Sequence, residues 1–303
     1  RIKMKTKYYM IALAAMTMTL GSCSDSENTI GTEAPKSITV STSIGKMTRI
    51  TTDAKGTQTF SEGDEISVYA WTGSAENVPA AAGRVVNNAI NKLTDKVWVA
   101  TPQMLWKNNV DQHYFIGIYP TKNVDNLTAD TYTFNAENQA ASDLLVAVNT
   151  NGLSYTKDAK DPVKLEFTHV MAKMVVNLSY KNQWGGTPTV KNVVVSDAIN
   201  EATINYLTKA VTPTTTAKAD FEVPATAANT QYVSVLIPQN GIQKIAITIG
   251  DKTFIYDNKT PFTFESGKIT TINLEVGRDQ VILDEVKISD WADGNTFHGE
   301  AFD

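Results

Sequence analysis

VKLEFTHVMAKMVVNL, the run at residues 163–178, alternates apolar and polar side chains but changes phase halfway along. The apolar side chains fall first on positions 163, 165 and 167, and then on positions 170, 172, 174, 176 and 178. Because a β-strand turns alternate residues to the same face, it cannot change phase without a bulge, a bend or a crossing between sheets. The run therefore predicts that one β-domain closes near Phe167 and that another opens near Val170. A single bulged strand in one larger sandwich is the alternative.

The chain on both sides of this run has the same β character. From residue 38 onward, short apolar or alternating segments are separated by Gly, Asn, Asp and Pro, without a sustained helical period. We predict an all-β fold of two β-sandwich domains, residues 38–169 and residues 170–303, each of ordinary domain size. Strands are predicted at residues 65–71, 114–119, 143–148, 190–197, 232–237, 245–249, 253–256, 269–276 and 286–288.

The composition excludes several classes of protein. Hydrophobic residues make up 42% of the 303 residues and charged residues 19%, so the chain can bury a core and is not dominated by disorder. The formal net charge of -5 has the wrong sign for a protein that binds nucleic acid along a basic face. The single cysteine excludes a disulfide framework and cysteine-rich zinc sites.

The first residues have the pattern of a secretory signal. Three lysines precede an apolar run at residues 8–20, which is shorter than the about 20 residues that a membrane-spanning helix needs. Small residues and a cysteine follow, in the order Leu20-Gly21-Ser22-Cys23. We predict a lipoprotein signal peptide at residues 1–22 and a tether at residues 23–37.

Leu-Gly-Ser-Cys matches the lipobox of bacterial lipoproteins. The match predicts that signal peptidase II cleaves between Ser22 and Cys23 and that the Cys23 sulfur carries a diacylglycerol, which would anchor the chain in the outer membrane. The acidic stretch at residues 24–27 resembles an export signal for the outer face of that membrane, although a solvated tether has a similar composition. A plain signal peptide followed by a leftover thiol is the alternative.

The sequence carries no recognisable catalytic motif. It lacks a Gly-x-Ser-x-Gly elbow, a glycine-rich phosphate loop and a His-Glu-x-x-His pair. Its histidines, His113, His169 and His298, are not at metal-ligand spacing. His169 is predicted to be a hydrogen-bonded histidine at the domain junction rather than a catalytic base. We therefore expect no enzyme activity, no cofactor and no metal site.

An acidic cluster precedes the strand predicted at residues 65–71. Glu62, Asp64 and Glu65 surround Gly63, which tolerates positive φ, and Asp side chains accept hydrogen bonds from nearby backbone amides. We predict a turn that enters the strand, and not a carboxylate pair for glycoside hydrolysis. The tryptophans are either packed side chains or a platform for sugar stacking; they are Trp71, Trp98, Trp106, Trp184 and Trp291.

Seven short runs form a further pattern along the chain. They are FSEGDEISVY at residues 60–69, YFIGIYP at 114–120, DLLVA at 143–147, LEFTHVMAK at 165–173, VLIPQ at 235–239, FESGK at 264–268 and ISDW at 288–291. In this order, and behind a lipobox, they resemble the fimbrillin-like proteins of Gram-negative gut and oral bacteria, whose F-x-x-G-D-x-I-x-V pattern the first run is similar to. The resemblance covers the chain from about residue 38 to its end.

The resemblance implies a type V pilus subunit made of two transthyretin-like β-sandwich domains and secreted as a lipoprotein. In such subunits an arginine-specific protease cuts an early loop and removes the lipidated segment with the first strand. The open groove then accepts a strand from a neighbouring subunit. Here residues 38–44 alternate like a removable first strand, and Arg49 and Ile50 flank the implied cut. An ordinary surface-loop arginine is the alternative.

The expected function is that of a non-enzymatic fimbrial subunit with structural and adhesive roles, at the outer membrane and in the fimbrium. The implied partners are other fimbrial subunits bound by strand exchange, the outer membrane bound through the lipid on Cys23, an arginine-specific protease, and a host or glycan ligand. Nucleic acid is not expected. A surface lipoprotein that binds glycan or a host ligand without polymerising is the alternative. Stalk, tip and anchor roles stay open, and residues 281–283 and 286–288 are either a donor strand or the last strands of the second domain.

Overall fold

The computed structural model describes residues 36–45 and 59–291. Within these ranges nearly all regular structure is β, which confirms the predicted all-β fold. The exceptions are one helical turn, α1 (Tyr155–Asp158), and three short 3-10 turns. The nineteen strands are β1 (Val40–Ile44), β2 (Glu65–Thr72), β3 (Val86–Thr94), β4 (Val97–Thr101), β5 (His113–Tyr119), β6 (Asp130–Thr133), β7 (Leu145–Leu153), β8 (Val163–His169), β9 (Ala172–Tyr180), β10 (Val190–Ile199), β11 (Glu201–Asn205), β12 (Ala210–Pro213), β13 (Lys218–Glu222), β14 (Ala225–Ala227), β15 (Gln231–Leu236), β16 (Gln239–Ile249), β17 (Lys252–Phe264), β18 (Lys268–Val276) and β19 (Val281–Asp290).

The strands predicted from alternation are present, and several extend beyond the predicted bounds. The strand predicted at residues 253–256 is β17, which continues to Phe264 because β16 stays beside it through two register shifts. The sequence predictions do not include β3, β4, β6 or β11–β14. In β3 and β6, for example, asparagine, lysine and aspartate interrupt the apolar positions. Pairing to a neighbour, and not local propensity, determines these strands.

Seven strands form one sheet in the order β1-β8-β7-β5-β2-β3-β4. β1 runs parallel to β8, and the other neighbours are antiparallel. The two edges of the sheet approach each other, since Trp98 Nε1 on β4 donates a hydrogen bond to Thr42 Oγ1 on β1 at 3.0 Å. The sheet therefore curls around the side chains of its inner face.

Aromatic and branched side chains fill this inner face. The Phe60 ring meets the rings of Trp98, Tyr119 and Phe167 edge to face, with centroids 5.2–5.3 Å apart. Gly117 is required opposite Phe167, because a Cβ at this position would lie 2.7 Å from Phe167 Cζ. We call this set of side chains the inner core; its buried members are Ile38, Val40, Ile44, Phe60, Ile66, Val68, Ala70, Val86, Ala89, Trp98, Met104, Trp106, Phe115, Leu145, Ala147, Val163, Leu165 and Phe167.

The opposite face of the same sheet is also apolar and packs against the rest of the chain. Tyr69, Trp71 and Ile116 on this face are fully buried, within a core that continues into two further sheets. One has five strands in the order β14-β15-β9-β18-β19, and the other has four in the order β13-β10-β16-β17. Burial on both faces explains why residues 114–119 are apolar throughout instead of alternating.

The chain passes from one sheet to another at the phase change that the sequence shows. β8 ends at His169 in the seven-stranded sheet, and β9 begins at Ala172 in the five-stranded sheet. The phase change is thus a crossing between sheets and not a bulge in one strand. A three-stranded sheet, in the order β12-β11-β6, joins strands from both sides of the crossing, and the described residues belong to one compact unit. The division into domains at residues 169 and 170 stays a prediction.

Candidate assembly site

β1 is an edge strand that parallel pairing holds to β8. All five residues of β1 have a partner on β8. The pairing continues beyond both ends of β1, because the Val163 N–H donates to the Thr39 carbonyl and the Gly45 N–H donates to the Phe167 carbonyl, each at 2.8 Å. Main-chain hydrogen bonds of this kind do not depend on the side chains, so a different extended segment can make them as well.

The residues just before β1 pair with a different segment, residues 104–106. The Ile38 N–H donates to the Met104 carbonyl at 2.8 Å, and the Trp106 N–H donates to the Lys36 carbonyl at 3.1 Å. An antiparallel bridge also joins the two segments. The main chain is therefore held first on one side, by residues 104–106, and then on the other side, by β8.

Alternate side chains of this first segment point into the inner core, as its sequence predicts. Ile38, Val40 and Ile44 are 3%, 5% and 6% exposed. Between them, Thr42 accepts the hydrogen bond from the Trp98 indole. Complete burial of a branched apolar side chain contributes about 1.5–3 kcal/mol. The first segment is thus an integral part of the inner core.

An apolar surface lies beneath β1. Val163, Leu165 and Phe167 of β8 are at most 2% exposed, and Phe60 and Trp98 belong to the same buried set. We call these five side chains the first-strand groove. The sequence pattern does not identify Trp98 as a member, because β4 comes near β1 only through the curl of the sheet. The alternation of residues 97–101 places residue 98 on the buried face, and this pattern is the signal that indicates an inward-pointing Trp98.

β8 depends on β1 for much of its main-chain pairing. β7 pairs with β8 only at residues 145–147 and 167–169, whereas β1 covers residues 163–167. The Asn149 Nδ2 adds a hydrogen bond to the Lys164 carbonyl at 3.0 Å. Once β1 is gone, this side-chain hydrogen bond and the packing of Val163 and Leu165 in the inner core are what the described residues show to hold the first half of β8.

The predicted processing sites lie outside the described residues. After Gly45 the chain enters residues 46–58, which contain the predicted cut between Arg49 and Ile50. The predicted lipidation of Cys23, with cleavage after Ser22, lies before residue 36. These sites stay predictions. His298 also lies outside the described residues.

The two arginines in the described residues have different surroundings. Arg84 is 9% exposed, and its Nη1 and Nη2 donate to the carbonyls of Val124 and Asp125 at 2.8 and 2.6 Å. Burial lowers the pKa of the Arg84 guanidinium from its usual value. Arg278 is exposed in the turn between β18 and β19, 5.4 Å from the ring centroid of Trp184. Arg84 is therefore shielded from a protease in the folded protein, and Arg278 is not.

A buried cluster joins the end of β8 to the residue that follows β19. His169 Nδ1 lies 2.7 Å from Asp143 Oδ1, and both side chains are less than a tenth exposed. The His169 ring stacks on the Trp291 indole, with centroids 4.0 Å apart and an interplanar angle of 20°. These contacts agree with the predicted hydrogen-bonded histidine. We call Asp143, His169 and Trp291 the junction cluster.

The remaining candidate side chains have structural surroundings. His113 accepts the Lys107 N–H at 3.1 Å on its Nε2, and burial lowers the pKa of the His113 imidazole. Among the residues that the structure describes, no group of three or more His, Cys, Asp and Glu comes together as metal ligands do. None of the described helices is long and apolar enough to cross a membrane.

The acidic cluster before β2 is a turn, as predicted. The Asp64 carboxylate accepts the Ser61 N–H at 2.6 Å, and Gly63 has a φ of 91°. The Glu62 carboxylate accepts the Asp95 N–H, also at 2.6 Å, from the turn between β3 and β4. These carboxylates therefore hold backbone amides in two neighbouring turns.

The tryptophans are packed side chains. Four of them are at most 7% exposed, namely Trp71, Trp98, Trp106 and Trp291. Trp184 is half-buried, and its ring contacts both Arg278 and Phe254. The five rings thus do not form a common platform for stacking a sugar.

A family model and several solved structures are similar to this chain. The fimbrillin-like family model matches residues 48–291. A proposed cell adhesion protein from Bacteroides ovatus has a TM-score of 0.64 at 18% identity, over 86% of this chain and 99% of that chain. A second one, from Bacteroides uniformis, has a TM-score of 0.63 at 17% identity, over 84% and 98%. A fimbrial protein from Bacteroides vulgatus has a TM-score of 0.50 at 13% identity, over 75% and 92%. Among curated proteins, none matches this chain.

At 13–18% identity, the solved structures support the fold alone. The family model also supports membership of a family. Its match begins in the segment that follows β1 and includes β2–β19, with the crossing from β8 to β9 and both halves of the chain. This chain therefore belongs to the fimbrillin-like family.

Proposed function

We propose that this protein is a fimbrial subunit that polymerises when a strand of another copy replaces β1. The position of β1 carries the proposal: it is an edge strand whose apolar side chains complete the inner core, and it is followed at once by residues 46–58. An incoming strand can make the same main-chain hydrogen bonds and fill the same pockets. Membership of the fimbrillin-like family supports a place in a fimbrium at the cell surface.

The proposed trigger is cleavage between Arg49 and Ile50 by an arginine-specific protease. Before the cut, β1 is held at a high effective concentration because it is part of the same chain. After the cut it is a bound peptide, which can dissociate together with the diacylglycerol on Cys23. The burial of Arg84 supports Arg49 as the cleaved position, because Arg84 is shielded in the folded protein.

The proposed donor is β19. It forms an edge of the five-stranded sheet, where β18 is its partner. None of its ten residues is buried, and Ile282, Val286 and Ile288 are 36%, 40% and 43% exposed. A strand with this much exposed apolar surface leaves its sheet with a small loss of buried area, and it gains burial when it enters the first-strand groove.

Controlled cleavage of the unlipidated chain, starting at Ser24, tests the proposal. We expect an arginine-specific protease, which leaves the nearby Lys46 and Lys55 uncut, to cut first after Arg49 and the product to form a ladder of oligomers that resist SDS. The Arg49→Ala protein should stay monomeric under the same conditions. Arg278→Ala is the matched control, because it removes an exposed arginine elsewhere and should leave both the cut and the ladder unchanged.

Two outcomes would contradict strand exchange. One is an Arg49→Ala protein that polymerises as well as the unaltered chain. The other is a protein that is cut after Arg49, loses β1 and remains a monomer, as a non-polymerising surface lipoprotein would. In the second case, binding of the monomer to host glycans becomes the next measurement.

A further inference from the structure

The residue that follows β19 anchors that strand. β19 itself has no buried residue, but Trp291 is 1% exposed. The Trp291 N–H donates to the Gly267 carbonyl at 3.1 Å, and the Lys173 Nζ lies 5.8 Å from the ring centroid. Because a buried indole removes a large apolar area from water, Trp291 adds to the pairing with β18 and helps to hold the end of β19.

The surface that receives Trp291 lies at the end of β8. The His169 ring stacks on the indole, and Asp143 holds the ring through its Nδ1. Asp143 lies two residues before β7, and the pairing of β7 with β8 includes His169 itself, opposite Leu145. The orientation of His169 therefore depends on the pairing at the end of β8.

The strand β8 also forms the base of the first-strand groove. Phe167 is the partner of Ile44 at the end of β1. His169 lies two residues further along and contacts Trp291. Loss of β1 removes the partner from residues 163–167, which leaves β8 paired with β7 over three residues. A strand attached over so short a length opens more often.

We infer that β8 and the junction cluster couple β1 to β19, so that loss of β1 loosens β19. When β8 opens, His169 no longer supports Trp291, and β19 detaches more often from β18. The consequence for assembly rests on the proposed function: a subunit that has opened its groove also becomes a better donor, whereas an intact subunit keeps β19 in its own sheet. Coupling of this kind is reciprocal, so loss of the Trp291 contact also loosens β1.

Hydrogen–deuterium exchange of the full unlipidated monomer tests the coupling. The Val40→Ala substitution weakens β1 without removing it, and we expect exchange to become about tenfold faster in both β8 and β19. The matched control is Val86→Ala on β3, which removes the same atoms from the same inner core, where Val86 is 6% exposed and Val40 5%. It should leave β19 unchanged. If the Val40→Ala protein does not fold, Ile44→Val removes a single methylene group from the buried face of the same strand and serves instead.

Substitutions in the junction cluster test the reverse direction. His169→Ala removes the stacked ring and should accelerate exchange in β1 by about tenfold, whereas Asp143→Asn keeps an oxygen that accepts from Nδ1 and should stay near the unaltered rate. In the variant that carries both Val40→Ala and His169→Ala, the amides of β19 should exchange at nearly the same rate as in whichever single variant exchanges faster.

The coupling would be overturned if Val40→Ala accelerates exchange in β8 but not in β19. It would also be overturned if Val86→Ala accelerates exchange in β19 as much as Val40→Ala does. These measurements are made on the monomer. Their failure would leave the proposed strand exchange standing, and a cleaved protein that does not polymerise would leave the coupling standing.

Discussion

The Trp98 indole shows what a replacement for β1 has to provide. Its Nε1 donates to Thr42 Oγ1, and the side chain is 7% exposed. A buried donor that loses its acceptor costs about 1–3 kcal/mol. An incoming strand therefore needs an oxygen between its apolar side chains. β19 has this order, because Asp284 lies two residues from both Ile282 and Val286, and the position of Thr42 is only partly buried, so a carboxylate there keeps contact with water, unlike one at the buried position of Val40.

The Thr42→Val substitution isolates this hydrogen bond, since it keeps the size of the side chain and removes the acceptor. We expect the free energy of unfolding to fall by about 1–3 kcal/mol, because the buried indole N–H is left without a partner. Urea denaturation followed by tryptophan fluorescence measures the change. Ser43→Ala on the exposed face of β1 is the control. Equal stability of the two variants would mean that the Trp98 bond contributes nothing.

Three tyrosines, two of them buried and Tyr119 partly buried, predict a loss of stability at high pH. Burial raises the pKa of Tyr69, Tyr119 and Tyr132 to about 12, compared with about 10 in an unfolded chain. The folded state therefore holds these protons more tightly. Their contribution to the free energy of unfolding is complete below about pH 10 and is lost as the pH rises from about 10 to about 12. Urea denaturation across this range should show the fall, and Tyr69→Phe should reduce it. A flat profile would contradict the burial effect.

At the scale of elements, the sequence predicts the strand β1 but not which segments of the chain pair with it. The alternation of residues 38–44 shows which side chains turn inward, and the structure confirms it for Ile38, Val40 and Ile44. The parallel partner β8 comes much later in the chain, and a parallel pair leaves no local signal comparable to a hairpin turn. The pairing of residues 104–106 with the residues before β1 is likewise a consequence of the curled sheet, which alternation does not encode.

A peptide of residues 36–45 should compete with strand exchange. The main-chain bonds and inward side chains that hold β1 are all contained in this segment, so the free peptide should occupy the groove of the cleaved protein and slow the growth of oligomers. Gel analysis over time measures the effect. A peptide with Val40→Asp is the control, because a carboxylate would be buried in the inner core. If both peptides inhibit equally, the groove does not recognise the inward side chains.

At the scale of the whole molecule, the two halves share one core. The sequence predicts the crossing at residues 163–178, because a change of phase needs a physical cause. It does not predict that β6 pairs with β11 across that crossing, since the short polar strands of this sheet lack a strong pattern. We propose residues 169 and 170 as a boundary between sheets, with the two halves joined by the shared core and by this pairing.

The isolated segment of residues 36–169 should therefore fail to fold stably. It would expose Tyr69, Trp71 and Ile116, which are fully buried in the whole chain, and it would leave β6 without β11. We expect poorly dispersed NMR spectra from the segment alone and well-dispersed spectra from the chain that ends at Trp291. A cooperative unfolding transition of residues 36–169 alone would contradict this prediction and would support two autonomous domains.

The order in which strands are synthesised differs from the order in which they pair. β1 leaves the ribosome long before β8, β6 before β11, and β9 before its parallel partner β18. Strands that pair across long stretches of chain fold slowly, and their unpaired edges are prone to aggregation during that time. A nascent chain of this topology is therefore nearly complete before its core can close, and it requires protection throughout synthesis.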